Sequence, residues 1–310
     1  MKSITILLPY FGKFPEWFPL YFETLRRNPT INFIFYTDCE VDGFSAPNVI
    51  FKKMTYEEYV NKANARIKGS QFCLSKPYKL CDLRPWYPII HYDDIKNADF
   101  YGWTDLDLLF GDIRKFYTDE ILAKYNVIST HATRISGHLA LFRNTYRNRH
   151  MGSKIYDWKN KLKEPEYVHM DESGLTLAYT MTIFDKINEK YHYHINNLIS
   201  RFTKAIKYRK LYLTEQYTTP FTPIPWIDGS LNAEQPDTWY YRDGVVTNSR
   251  DKNRDFIYIH FMNFKSSQWR HDGTKAPWES KDRIYQIDDF SDIKDGVVID
   301  ANGIRSVKSM

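Results

Sequence analysis

Asp105 and Asp107 stand two residues apart at the end of an aromatic, apolar run, Phe100-Tyr101-Gly102-Trp103-Thr104-Asp105-Leu106-Asp107-Leu108-Leu109-Phe110-Gly111-Asp112. In extended chain the side chains alternate faces, so both carboxylates point one way while Leu106 and Leu108 point into a core. Two hard oxygen ligands on one side suit Mn²⁺ or Mg²⁺ and leave coordination positions for phosphate oxygens. A metal that bridges a diphosphate neutralises the charge developing on the leaving group, which is what transfer from a nucleotide sugar requires. Asp-x-Asp also arises in surface turns. Here Phe-Tyr-Gly-Trp before it and Leu-Leu-Phe-Gly after it place the carboxylates at the rim of a core.

Other residues could complete such a site. His260 lies in the apolar strand Phe256-Ile257-Tyr258-Ile259-His260-Phe261-Met262-Asn263-Phe264-Lys265. A lone histidine in such a strand is more often a satisfied core residue, but a third metal ligand is chemically required and imidazole meets Mn²⁺ well. Lys265 would then contact a diphosphate as a point charge. In Lys76-Pro77-Tyr78-Lys79-Leu80-Cys81-Asp82-Leu83-Arg84-Pro85, Lys76, Lys79 and Asp82 share a helix face at i, i+3 spacing and Arg84 adds a third cation. That suits a diphosphate or a sugar hydroxyl, with an exposed, salt-bridged helix as the alternative. Asp171 and Glu172 open a helix, where a carboxylate is either an N-cap or a general base for an acceptor hydroxyl. His138, after Ser136-Gly137, re-enters the region on a strand and could bind a donor sugar.

The elements that must position these residues alternate strand and helix. Lys2–Leu8, closed by Pro9, reads as a buried strand; Pro15–Arg27 has helical period; Ile31–Thr37 and Asn48–Met54 read as strands; and Tyr56–Lys68 is helical. Such alternation predicts an α/β fold with a largely parallel sheet, helices on both faces and ligands at the carboxyl ends of the strands. Pro9-Tyr10-Phe11-Gly12, Thr37-Asp38 and Asp105/Asp107 all fall at such ends. Asn126–Thr130 and His138–Phe142 read as further strands, and Ile155–Lys163 and Glu172–Lys190 as helices. Thr214–Pro236, with its four prolines, reads as a lid or binding segment. Asp243-Gly244 and Asn302-Gly303 mark two hairpins. No repeat or linker divides the chain, which reads as a single domain.

Composition sets the outer bounds. A chain of 310 residues, 43% hydrophobic and 17% aromatic, builds a core without staples, and its 24 tyrosines and 8 tryptophans supply flat faces with polar tips suited to sugars or bases. Cys39, Cys73 and Cys81 follow no metal spacing and read as free thiols of a reducing compartment. No apolar run approaches the roughly 18 residues of a membrane span, so a cytoplasmic protein is expected. Arg201-Phe-Thr-Lys204-Ala-Ile-Lys207-Tyr-Arg209-Lys210 interleaves cations with apolar residues, as a basic amphipathic segment does at an anionic membrane, or as a solvated helix face does. Nucleic acid is a poorer partner, for no helix-turn-helix, zinc-finger or aromatic-sheet signature accompanies the patch.

Pro9-Tyr10-Phe11-Gly12-Lys13, Pro15-Glu16-Trp17-Phe18, Asn28-Pro29-Thr30, Thr37-Asp38, Lys76-Pro77-Tyr78-Lys79-Leu80-Cys81-Asp82 and Gly111-Asp112-Ile113-Arg114-Lys115-Phe116 together resemble a bacterial family of unknown function. Its members resemble GT-A glycosyltransferases of capsule and O-antigen clusters. The match covers most of residues 1–150 in order. It implies a GT-A-type, Rossmann-like, mostly parallel sheet with helices on both faces and a C-terminal elaboration. Residues 1–150 would form the nucleotide-sugar half, 151–270 the acceptor half and 271–310 an extension with a β-hairpin.

The resemblance further implies a UDP-sugar donor, Mn²⁺ or Mg²⁺ at Asp105 and Asp107, and uridine contacts at Pro9, Tyr10, Phe11, Gly12, Thr37 and Asp38. The stretch from His260 to Trp269 is similar to the closing His-x-x-x-x-Lys-x-x-x-Trp region of galactosyl-type enzymes, where the histidine ligates metal. Arg84-Pro85-Trp86-Tyr87-Pro88 departs from the family's Lys-Pro-Ala-Tyr-Gly, which alters the expected donor pocket at Trp86 and Pro88. The expected activity is transfer of a hexose, galactose or galactofuranose, from a UDP-sugar to a growing lipid-linked oligosaccharide. Asp171 or Glu172 would be the base of an inverting reaction, although the histidine-lysine tail resembles that of retaining enzymes. A non-catalytic glycan-binding protein is the alternative from another class. A phosphohydrolase or nucleotidyltransferase fits less well, since such sites gather more carboxylates or a glycine-rich phosphate loop.

Overall fold

β1 (Ile4–Pro9) sends Ile4, Ile6 and Leu8 into one core and Leu7 into another, and β2 (Ile31–Thr37) repeats this with Phe33 and Phe35 against Ile34 and Tyr36. A strand apolar on both faces must be covered on both faces, and in this computed structural model it is. Residues 1–185, 187, 198–214, 238–251, 254–269 and 273–309 are described. α1 (Phe18–Arg26) packs Phe18, Tyr21, Phe22 and Leu25 into the first core, and α2 (Tyr56–Arg66) packs Tyr59, Val60 and Ala63 into the second. α2 opens on a capping box between Thr55 and Glu58, which satisfies two otherwise orphaned backbone donors.

The sheet has seven strands in the order β3-β2-β1-β4-β7-β6-β8, completed by β3 (Val49–Lys53), β4 (Phe100–Thr104), β6 (Val127–Ser129), β7 (Leu139–Arg143) and β8 (Leu211–Leu213). β7 runs antiparallel to β4 and β6, and the remaining neighbours are parallel. The chain is thus α/β with a mostly parallel sheet and helices on both faces, as its sequence predicts.

Past β4 the chain turns through residues 105–107 into β5 (Leu108–Phe110), which leaves the main sheet and pairs antiparallel with β11 (Tyr258–His260), His260 opposite Leu108. That register carries a residue from far along the chain to the carboxylates. The turn after β5 is held by buried Asn28, whose side chain donates to Gly111 O (3.0 Å) and accepts from Ile113 N (3.0 Å). Two of the resembling motifs therefore meet as a structural joint.

Both hairpins form, β9 (Trp239–Arg242) with β10 (Val245–Asn248) and β12 (Val297–Asp300) with β13 (Gly303–Ser306). They join edge to edge as one antiparallel sheet, β10-β9-β12-β13, whose Trp239, Tyr241, Val297 and Ile299 enter the core that α1 covers.

Some helices differ from expectation. Ile155–Lys163 holds one helical turn, Trp158–Lys161, because Asp157 adopts a left-handed φ of 53°. The stretch from Glu172 starts within a π turn (Met170–Gly174), continues as helix Leu175–Thr180, and stops where Met181 turns extended at ψ 129°. Its far end lies outside the described residues, as does all of Thr214–Pro236 beyond Thr214 itself. Pro77–Trp86 is a 3₁₀ stretch, in which i and i+3 eclipse. Among the described residues no helix is long and apolar enough to cross a membrane.

Candidate metal and donor site

The Asp105–Asp107 turn is held through its backbone. Asp105 N donates to His138 O (3.0 Å), Phe261 N donates to Asp107 O (3.1 Å), and the Trp17 indole donates to Leu106 O (2.8 Å). Asp107 faces Lys265 Nζ at 2.9 Å and His260 Nε2 at 3.4 Å. One possible ligand atom from each of Asp105, Asp107 and His260 lies within 4.8 Å of the others.

The two carboxylates feel opposite fields. Burial raises the pKa of Asp105 and Arg84 only partly offsets it, whereas at Asp107 burial is outweighed by Lys265 and His260, which hold it well below the usual carboxylate range. His260 is buried, and its Nδ1 has no hydrogen-bond partner, an unfavourable state for a polar atom away from water. A donor set of two carboxylates and one such imidazole fits Mn²⁺, and Mg²⁺ through its oxygens. Asp105, Asp107 and His260 are the residues that would hold it.

His138 stacks on His260, ring centroids 4.3 Å apart at 31°. Ser136 Oγ donates to His138 Nδ1 (3.0 Å), His138 Nε2 donates to the Tyr258 hydroxyl (2.6 Å), and that hydroxyl donates to Thr130 Oγ1 (2.5 Å). Burial, then the neighbouring His260, pushes the His138 pKa well down, so the ring is neutral. This corrects the expectation that His138 binds a donor sugar. Both its nitrogens are used inside the protein, and its ring lies against that of His260.

Arg84 is likewise internal. Nη1 donates to Gly137 O (2.6 Å) and Asp171 Oδ2 (2.8 Å), and Nη2 donates to Asp105 Oδ1. Asp171 is 0% exposed, its other oxygen accepts from the Tyr167 hydroxyl (2.8 Å), and burial pushes its pKa up to about 7 against the pull of Arg84. The N-cap reading of Asp171 does not hold. It caps nothing, since it lies inside the π turn whose N-cap is His169 (φ 57°), and both its oxygens are engaged inside the protein, by Arg84 and Tyr167.

Glu172 is placed differently. Its side chain is 23% exposed, and Oε1 accepts from Gly137 N at 3.0 Å. A Cβ on Gly137 would stand 2.8 Å from that oxygen and 3.2 Å from Asp171 Oδ2, so a glycine is what admits both carboxylates.

The Lys79–Asp82 pair also departs from its expected role. Lys79 is 1% exposed and spends its three N–H groups on Asp82 Oδ2 (2.9 Å), Lys161 O (3.0 Å) and Glu166 O (2.7 Å). Asp82 accepts from Val168 N and Met170 N, both at 2.7 Å. The pair fastens the loop leading to Asp171 and has no N–H left for a diphosphate. Lys76 is exposed at the head of the stretch. Trp86 packs against Gly152 and Trp158 in the second core, so its bulk is not spent on a donor pocket.

At the ends of β1 and β2, Pro9 lies in register with Tyr36, and Gly12 N donates to Asp38 Oδ1 at 2.7 Å. Gly12 has φ +101°, which side chains rarely tolerate. Phe11 is buried against Tyr56 and Tyr59, and Thr37 is buried with its hydroxyl accepting from Cys39 N (3.0 Å). Tyr10 is half-buried and close enough to Lys265 and Asp107 for both charges to act on its phenol. Sequence reading misses Trp17, Thr130, Tyr167 and Tyr258 as supports of the site. Only Tyr258 carries a signal, since it shares a strand face with His260 two residues on.

Residues 6–291 match DUF6625, a family of unknown function. The chain belongs to that family. No curated protein matches it. Among solved structures it is similar to apo mouse xyloside xylosyltransferase 1 (12% identity, TM-score 0.32, covering 72% of this chain and 89% of that one). It is also similar to an active-site mutant of LgtC (10% identity, TM-score 0.39, covering 89% and 90%) and to the glycosyltransferase GlyE of Streptococcus pneumoniae TIGR4 (12% identity, TM-score 0.30, covering 69% and 45%). These are similarities of fold alone.

Proposed function

We propose that this chain is a metal-dependent GT-A-type glycosyltransferase that moves a hexose, galactose or galactofuranose preferred, from a UDP-sugar to a growing lipid-linked surface polysaccharide such as a capsule or O-antigen. The observation that carries the reading is the convergence of Asp105, Asp107 and His260, with Lys265 on Asp107, beside the Tyr10 and Gly12–Asp38 loops. A divalent ion bound there supplies neutralisation of the charge that develops on a diphosphate leaving group. Lys265 is the cation placed to meet that diphosphate, and Tyr10, Gly12 and Asp38 form the uridine-facing edge.

In the inverting form of the reaction an acceptor hydroxyl attacks the anomeric carbon, the bond from that carbon to the diphosphate oxygen breaks, and a carboxylate takes the hydroxyl proton. Glu172, partly exposed, takes this role, while Asp171 positions Arg84. Retention is the second reading, since Asp171, one of the two candidate bases, is buried and the tail from His260 to Lys265 resembles that of retaining enzymes. The test is release of UDP from a panel of UDP-sugars with Mn²⁺, followed by the anomeric configuration of the product. Absence of chelator-sensitive UDP release across the panel ends the transferase reading, and Mn²⁺-independent glycan binding in its place would favour a lectin.

A further inference from the structure

The helix Leu198–Tyr208 is turned inside out. At about 100° per residue Leu198, Ile199, Phe202, Ala205 and Ile206 fall on one arc. Leu198, Ile199, Phe202 and Ile206 are 83%, 62%, 66% and 51% exposed. The residues turned partly toward the body are instead Ser200, Thr203 and Lys207, and Lys207 Nζ donates to the Met181 carbonyl. A helix of a soluble fold normally buries its apolar stripe, whereas none of these residues is buried.

Charge says what covers the stripe. Arg201 borders it, Arg209 and Lys210 follow its end, Lys204 adds a further exposed cation, and no acidic residue occurs from Leu198 to Lys210. Where the helix meets the sheet edge lies a cavity of about 170 Å³ whose described lining includes Arg147, Lys207 and Lys210 and no carboxylate. A second copy of the helix would set like charges against each other. An apolar arc bordered by cations matches an anionic bilayer, where the arc enters the acyl boundary and the cations meet head groups.

We propose that Leu198–Tyr208 docks the protein on an anionic membrane, its apolar arc entering the acyl boundary and the cations beside it meeting head-group phosphates. This rests on the helix and not on the transferase reading. The experiment is co-sedimentation of the full chain with phosphatidylcholine vesicles, with and without phosphatidylglycerol, at low and high salt. Pelleting is expected with the anionic vesicles alone and is lost as salt rises. Phe202→Asp should abolish it, and Lys204→Glu with Arg209→Glu should weaken it on the order of tenfold or more. UDP binding measured by calorimetry should be unchanged in these variants, so loss of docking and failure of the donor site are read separately. Equal pelleting with neutral vesicles, none with either, or wild-type pelleting by Phe202→Asp overturns the proposal. So does a dimer in light scattering that Phe202→Asp dissociates, since a second copy would then cover the stripe.

Discussion

The Arg84 guanidinium donates to Asp171 at 2.8 Å, and both side chains are buried. Because Arg84 also holds Asp105, a change at Asp171 reaches the proposed metal site through one intervening side chain. Glu172, next in the chain, reaches solvent instead. The two acids can therefore be separated by substitution.

Glu172→Gln keeps an acceptor for Gly137 N but removes the base, so turnover should fall roughly a hundredfold or more at an unchanged melting temperature. Asp171→Asn, which keeps the shape of a positioning residue, should lower turnover by less. Steady-state rates of both variants decide it. Near-normal turnover in Glu172→Gln, or a product of retained configuration, rejects Glu172 as the inverting base.

Asp171 also makes a prediction about pH. Its folded pKa, about 7, lies above the ordinary value near 3.9, so the fold favours the protonated acid. The stability this contributes is complete below the ordinary value and is lost as pH rises through about 7. Measured against Asp171→Asn, which does not titrate, wild-type stability should decline between about pH 4 and 7. Parallel melting-temperature curves across that window would show that Asp171 does not titrate this way.

Tyr258→Phe deletes a hydroxyl that bonds both His138 Nε2 and Thr130 Oγ1 and leaves those buried atoms only their longer contact with each other, at 3.4 Å. We expect a stability loss of about 1–3 kcal/mol. Because His138 packs on His260, Mn²⁺ affinity should also weaken by about tenfold or more. Denaturant unfolding reads the first effect and titration with Mn²⁺ the second. A stability loss at unchanged Mn²⁺ affinity would leave the network structural only.

How much was legible in the chain depended on whether local physics decides the element. Ile31–Thr37 has the bounds its apolar pattern predicts, since both its faces are covered, and each hairpin forms around its turn pair. The π turn at Met170–Gly174 is not legible, because a left-handed histidine leaves no mark in composition. The i, i+3 spacing of Lys79 and Asp82 is visible, but the loop that buries them arrives from residues 161–170. His260 is legible as a candidate because the chemistry needs a third ligand. What delivers it, the pairing of β5 with β11, is a long-range register that no local pattern encodes.

The Gly12–Asp38 bond joins the two loops proposed to face uridine. Asp38 is exposed, so Asp38→Ala should barely move the melting temperature while weakening UDP binding by about tenfold through the loosened Gly12 loop. Calorimetry with UDP and Mn²⁺ measures this directly. Undiminished affinity would place the nucleotide elsewhere.

Asp107 faces Lys265 and His260 at once, and its carboxylate is held ionised well below its usual range. Asp107→Asn removes that charge at nearly constant volume, so it should abolish Mn²⁺ binding and chelator-sensitive turnover together. Lys265→Ala removes a group that faces Asp107 but is not among the proposed ligands. It should retain Mn²⁺ and lose affinity for UDP, because the lysine is the cation assigned to the diphosphate. The electron paramagnetic resonance signal of Mn²⁺, which broadens on binding, reports the metal in both variants without turnover, and calorimetry reports UDP. If Asp107→Asn binds Mn²⁺ like the wild type, the metal site is wrong; if Lys265→Ala binds UDP like the wild type, the metal site stands and the diphosphate lies elsewhere.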